Sequence, residues 1–306
     1  MSDRNRSKFL AIAALILLSG ILGYNWIVMK VAIKYANPVA FSALRTFFGA
    51  VTLFVVMLVL QKPLQPKAVM GTFLLGLLQT SGFVGFATWA LVSGGAGKTA
   101  VLVYTMPFWS LLFGWVALGE RIRGVQWIAI AFGSLGLLFV LDPLHLNGGA
   151  FSKVLALLSG ISWAASAIVA KKLHQTAKLD LLSLTAWQTL FGSIPLVAIA
   201  LSTPSAPIVW SNAFIGALIY NVIPGTALSW LLWAYVLRQL STGVAGLGTL
   251  ATPIIGVLAA WIQLGEVPGV ADSIGIMLIA VALLVLSLQG LRQMRQAKLS
   301  LGTDES

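Results

Sequence analysis

Thr105-Met106-Pro107, followed by Leu118-Gly119-Glu120, returns later in the chain as Ala251-Thr252-Pro253, followed by Leu264-Gly265-Glu266. Both prolines and both Gly-Glu pairs are separated by 146 residues (253 − 107 and 266 − 120). Each copy is an apolar run with a proline near its middle, closed by glycine and a carboxylate. Looser echoes keep similar spacing. Leu17-Leu18-Ser19-Gly20 recurs as Leu157-Leu158-Ser159-Gly160, offset 140, and Arg45-Thr46-x-Phe48-Gly49 as Gln188-Thr189-x-Phe191-Gly192, offset 143. A repeat of this length in a chain of apolar segments points to a duplicated membrane bundle.

Composition fixes the class. Hydrophobic residues make up 59% of the chain and charged residues 9%, and mean hydropathy is +0.96. Soluble domains carry roughly a quarter charged residues, so this chain cannot clothe itself in polar surface. Ten apolar runs are long enough to cross about 30 Å of hydrocarbon as helices: 9–29, 38–60, 68–91, 98–118, 125–141, 150–170, 181–201, 211–237, 242–264 and 271–291. The expected fold is therefore an all-α membrane protein of ten transmembrane helices. The first run follows Arg4, Arg6 and Lys8 without an A-x-A-like cleavage site and is read as a retained helix. With no cysteine and both histidines between spans, thiol and His-metal chemistry are not expected.

The Lys/Arg bias sets the orientation. With the N-terminus inside, 14 of the 19 cationic residues fall on the cytoplasmic side. Lys30, Lys34, Lys98 and Lys153 fall outside, and Arg45 lies within a span. The net charge of +11 then reflects topology, not nucleic acid. Both termini are expected in the cytoplasm. The expected organisation is a tail at 1–8, a five-helix repeat at 9–141, an outer linker at 142–149, a second repeat at 150–291 and a tail at 292–306. Five is odd, so the second repeat is expected to enter the membrane inverted, an arrangement that permits alternating access.

Three features together resemble the EamA family of the drug/metabolite transporter superfamily: Gly23-x-Asn25-x4-Lys30, Pro38-x6-Arg45, and the Pro107…Glu120 motif with its copy Pro253…Glu266. Leu22 and Val267 depart from the family's usual Trp and basic residue. The resemblance implies an exporter of metabolites or amino acids with a central cavity between the halves; it names no substrate and no cofactor.

Arg45 is the one charge well inside a span, and such a charge defaults to a functional hypothesis. Its guanidinium either receives a substrate carboxylate or phosphate, or clamps a neighbouring helix; the sequence leaves both readings open. The amides Asn25, Gln79, Gln188 and Asn221 are candidate binders because each needs several partners. Tyr104, Trp109, Trp163 and Tyr220 are candidates for an aromatic wall. Pro107, Pro253 and Pro224 interrupt helices at depth and are candidate hinges. Lys30 and Lys98 are expected as solvated interfacial lysines, and Glu120 as a local partner of Arg121 and Arg123. Trp26, Trp89, Trp210 and Trp261 are expected in an outer aromatic belt. Gly94-Gly95-Ala96-Gly97-Lys98-Thr99 is not a phosphate loop, since Val92 replaces the first glycine. No span holds a carboxylate at depth, so facilitated diffusion or an unobvious coupling route is expected. The leading reading is a carrier of small polar metabolites. The alternatives are an exchanger of phosphorylated or nucleotide-linked sugars and a non-transporting membrane assembly protein; an intramembrane enzyme lacks its residues.

Overall fold

The computed structural model describes residues 3–122, 124–142, 149–176, 179–239 and 251–303. Among these there is no strand. The helices are α1 (Asp3–Ala32), α2 (Pro38–Val59), α3 (Val69–Gly76), a π-helical stretch π1 (Leu77–Gly82), α4 (Phe83–Ala90), α5 (Ala96–Val103), α6 (Met106–Leu118), α7 (Val125–Leu141) and α8 (Ala150–Thr176). After them come α9 (Leu181–Ser202), α10 (Asn212–Val222), a second π stretch π2 (Ile223–Leu228), α11 (Ser229–Gln239), α12 (Ala251–Leu264) and α13 (Val270–Thr303). Eight segments of 21 to 26 residues are long and apolar enough to cross a membrane. Two further apolar helices, α7 and α12, are shorter; residues 242–250 of the expected ninth span lie outside the described residues.

The outer surface is apolar in a way water would not tolerate. Ile16, Val59, Met70, Val116, Leu201 and Ile262 are each more than two-thirds exposed. Exposed apolar area on this scale marks a lipid-facing surface. The protein is an integral multi-pass membrane protein.

The two π stretches are spaced as the motifs are: 223 − 77 and 228 − 82 are both 146. A π turn takes in an extra residue and disturbs the α ladder, a distortion often found at functional sites. Nearby hydroxyls take up backbone oxygens there. Ser162 Oγ donates to Leu78 O at 2.7 Å, Ser229 Oγ to Pro224 O at 2.7 Å, and Thr226 Oγ1 to Asn221 O at 2.8 Å. The entrances to α2 and α9 also match, at offset 143. Asn37 Oδ1 caps α2 through Val39 N at 2.9 Å, and Asp180 Oδ1 caps α9 through Ser183 N at 3.1 Å. Thr46 and Thr189 each donate to the carbonyl four residues back, at 2.7 Å.

The expected fourth span, 98–118, is not continuous. It breaks at Tyr104–Thr105, and Pro107 is near the start of α6, where a missing N–H costs nothing. Pro107 therefore opens a helix instead of bending one. Pro224 lies inside π2.

The glycine of each Leu-Gly-Glu motif closes a helix in the left-handed region, with φ +66° at Gly119 and +67° at Gly265. The next amide returns to a carbonyl six residues back: Glu120 N to Gly114 O at 3.1 Å and Glu266 N to Ala260 O at 3.3 Å. A side chain at either glycine would strain this turn. Its effect is to set a carboxylate just beyond the helix end.

Packing follows the repeat. α2 lies against α9, and α7 against α13. α1 packs on α12, α10 and α11, while α8 packs on α5, α6, α4 and π1. α9 also meets α3 and π1, and α2 meets α10 and π2. Among the described residues, exchanging a helix for its counterpart in the other half returns most of the same neighbours; the counterpart of α5 lies outside the described residues. Close approach is allowed by missing side chains: a Cβ on Gly136 would stand 2.7 Å from Gly275 O, and one on Gly275 2.6 Å from Gly136 O. Trp26, expected in the outer belt, is instead buried; its ring packs beside Gly256, in an interface the sequence of α1 does not reveal.

Candidate functional site

Arg45 sits on the buried face of α2 and is 8% exposed. Among the described residues its guanidinium makes no hydrogen bond and no ion pair. Its counterpart at offset 143, Gln188, is settled: Gln188 Oε1 accepts from Thr80 Oγ1 in π1 at 3.2 Å, and its Nε2 donates to Thr189 Oγ1 at 3.3 Å. The repeat thus breaks its symmetry at this position, with a satisfied amide in one half and an unpaired buried cation in the other.

Asn25 and Asn221 are both buried. Asn221 Nδ2 donates to Ala217 O at 2.9 Å and Asn25 Nδ2 to Met29 Sδ at 3.3 Å, while the Oδ1 atoms of both are enclosed without partners. Gln79 is half-buried within π1. Tyr104 and Trp163 meet edge to face, centroids 5.7 Å apart, and Phe83 lies 4.7 Å from Trp163. These rings join the break between α5 and α6 to α8. Trp109 turns back on its own helix and donates to Thr105 Oγ1 at 3.2 Å. Tyr220, a candidate for the aromatic wall, ties the halves together: its hydroxyl donates to Ile21 O at 2.9 Å, and its ring meets Tyr24 at 5.9 Å.

A cavity of about 250 Å³ lies between the halves, lined by Ser93–Gly95, Gly97–Thr99, Ser152, Lys153, Val257 and Glu266 among others. None of the expected binding residues lines it. It sits at the end of the bundle that carries Glu266. There the expected solvated lysines are engaged: Lys98 pairs with Asp272 at 2.6 Å, and Lys30 Nζ donates to Leu91 O at 2.5 Å and Gly94 O at 2.7 Å, closing the C-terminal end of α4. Glu266 accepts from Ala96 N at 3.0 Å and Gly97 N at 3.2 Å. The helix N-terminus in the glycine-rich segment therefore receives a carboxylate from the other half of the chain, where the helix dipole favours it.

At the opposite end Glu120 pairs with Lys171 of the second half; of its two expected partners, Arg121 makes no ion pair with it among the described residues, and Arg123 lies outside them. Lys62 pairs with Asp180 at 3.0 Å. Partial burial pushes the Asp180 carboxyl up, but Lys62 and the Ser183 amide outweigh it and hold it below the usual carboxylate value.

Glu266→Ala leaves two helix-terminal N–H groups without an acceptor. It is expected to destabilise the fold by about 1–2 kcal/mol, as loss of an N-cap does. Thermal unfolding of the purified protein checks this: Glu266→Gln should fall between Ala and wild type, and an unchanged midpoint for Glu266→Ala would dismiss the capping role.

A duplicated apolar bundle with a buried, unpaired cation and cross-half contacts at both ends defines a membrane transporter. The chain belongs to the EamA-like transporter family, which matches it twice, over residues 9–142 and 151–288. It is 29% identical over 254 residues to the uncharacterized transporter YoaV of Bacillus subtilis, covering 80% of this chain and 86% of that one. It is 26% identical over 308 residues to a probable amino-acid metabolite efflux pump of Salmonella typhimurium, covering 96% and 99%. A solved crystal structure superposes with a TM-score of 0.61 at 17% identity over 93% of this chain and 96% of its own, a likeness of fold.

Proposed function

We propose that this transporter exports small zwitterionic metabolites of the amino-acid class by alternating access, through a path between two inverted five-helix repeats. The ten helices comprise the eight long segments together with α7 and α12. The matched π stretches and the similar neighbours of matched helices support the repeat, and five spans in each half would invert the second. The Lys/Arg distribution supports cytoplasmic termini in a bacterial inner membrane.

The observation that carries the substrate class is the buried guanidinium of Arg45, unpaired among the described residues, in a bundle that also encloses the unpartnered amide oxygens of Asn25 and Asn221. A planar fork of donors matches a carboxylate, and a zwitterion also brings an ammonium to the amide oxygens. A phosphorylated sugar needs several free cations at depth, whereas Lys30 and Lys98 are already bound to protein groups. Tyr104, Trp163 and Gln79 flank the path, Gln188 and Trp109 brace it, and Pro107, Pro253 and Pro224 mark where its helices articulate.

Counterflow in proteoliposomes tests the proposal. Purified protein would face radiolabelled amino acids, sugars and nucleotide sugars, with no ion gradient. Saturable accumulation of amino acids driven by unlabelled amino acid inside is the expected result. Accumulation of nucleotide sugars alone would overturn it.

A further inference from the structure

Asn25 on α1 and Asn221 on α10 each enclose an amide oxygen without a partner, and α1 packs on α10. Gly225 in π2 marks the place. A Cβ there would stand 3.2 Å from Asn25 Oδ1 and 3.2 Å from Tyr220 O, and Asn221 lies one turn earlier on the same segment. Only a glycine leaves this space open. Every amide donor is turned away from it: Asn221 Nδ2 is held by Ala217 O, which fixes which end of the amide carries the oxygen, and Asn25 Nδ2 by Met29 Sδ. What remains is the Asn25 oxygen against Gly225, one turn from the Asn221 oxygen's own residue, beside a distorted, proline-containing stretch of helix, the kind of backbone that coordinates cations in carriers.

Arg45 stands at the same level. Phe41, Arg45 and Gly49 share one stripe of α2. Phe41 meets Phe214 with centroids 6.1 Å apart, and Gly49 abuts Thr226, whose side chain would lie 3.0 Å from a Cβ. Asn221 falls between Phe214 and Thr226 along the chain, as Arg45 falls between Phe41 and Gly49, so the two flanking contacts bracket both residues.

We propose that Asn25 Oδ1 and Asn221 Oδ1, beside Gly225, form a subsite for a monovalent cationic group. Its occupant is either a sodium ion or the ammonium of the zwitterion whose carboxylate Arg45 receives; the second case rests on the carrier reading above. Recognition by amide dipoles, without a buried carboxylate, binds weakly enough to release at each turnover. It also supplies the coupling route that the missing intramembrane carboxylate left open.

The full-length protein in nanodiscs would be unfolded thermally in sodium chloride and in N-methylglucamine chloride at equal ionic strength. Each would be repeated with L-threonine and L-phenylalanine and with their N-acetyl derivatives. Protection by sodium alone assigns the ion. Protection by the free amino acids and not by the N-acetyl forms assigns the ammonium. Either protection should vanish in Asn25→Leu and Asn221→Leu. In Asn221→Asp it should need about tenfold less ligand, since a carboxylate replaces a dipole. If the leucine variants do not fold, Asn221→Asp and Gly225→Ala decide. Absence of cation-dependent protection in the wild type, or protection indifferent to these variants, overturns the subsite. Counterflow of the same wild-type preparation is read separately: counterflow without cation protection sinks only the subsite, and sodium protection without counterflow sinks only the carrier reading.

Discussion

Arg45→Leu is expected to abolish counterflow of zwitterionic substrates and to leave thermal stability equal to or above that of the wild type. Arg45 is buried and makes no hydrogen bond or ion pair among the described residues. A charge held in that state is a cost to the fold, and an apolar side chain removes that cost, which offsets the packing lost to the shorter leucine. The same change removes the group that meets the substrate carboxylate. Truncating one partner of a buried charge pair weakens binding by about 2–5 kcal/mol, at least ~30-fold in affinity. Arg45→Lys keeps the charge and loses the bidentate fork, so it should retain weak transport. The clamp reading makes the opposite forecast. If Arg45 secured a neighbouring helix, leucine would forfeit charged hydrogen bonds of about 1.5–3 kcal/mol each and lower the unfolding midpoint. Measuring midpoint and counterflow on one preparation separates the two, and a stable Arg45→Leu protein that still transports would remove Arg45 from the site.

Much of this was legible in the sequence because the physics behind it is local. Apolar runs of helix-spanning length need no partner to be recognised, and the 146-residue offset of the Pro…Gly-Glu motifs located both halves. Burial of Arg45, Asn25, Gln188 and Asn221 followed from their place within apolar runs. The pairings were not legible, because they depend on residues distant in sequence. Glu266 caps a helix 170 residues away, Glu120 reaches Lys171, 51 residues away, and Trp26 is covered by α12. Nor were the π stretches visible: one extra residue per turn barely disturbs a hydrophobic period read over six residues, although Gln79 and Pro224-Gly225 stood out there for other reasons. The break at Tyr104–Thr105 was masked by Pro107, which serves equally to bend a helix or to start one.

Gly192→Ala is expected to be severely destabilising, and its counterpart Gly49→Ala only mildly so. A Cβ on Gly192 would fall on the Gly76 carbonyl oxygen and 2.5 Å from Thr80 Cβ. The Gly76 face of this contact is main chain and cannot rotate aside. Ser81 Oγ, donating to Gly192 O at 2.6 Å, pins the two segments further. Overpacking costs about 1–3 kcal/mol where neighbours can adjust; here the upper end or more is expected, read as loss of monodisperse protein and a midpoint lowered by several degrees. The nearest atoms to a Cβ on Gly49 belong to the Thr226 side chain, at 3.0 Å, where a shift of a few tenths of an ångström relieves the contact without moving main chain. The contrast follows from the asymmetry at Arg45 and Gln188. Where α9 meets π1 the interface is backbone against backbone and fully bonded, so it behaves as a fixed joint. Where α2 meets π2 it is side chain against glycine, with an unpaired arginine and an unpartnered amide oxygen beside it. If the two alanine variants unfold at the same temperature, that division of the repeat into a fixed joint and a binding joint is wrong.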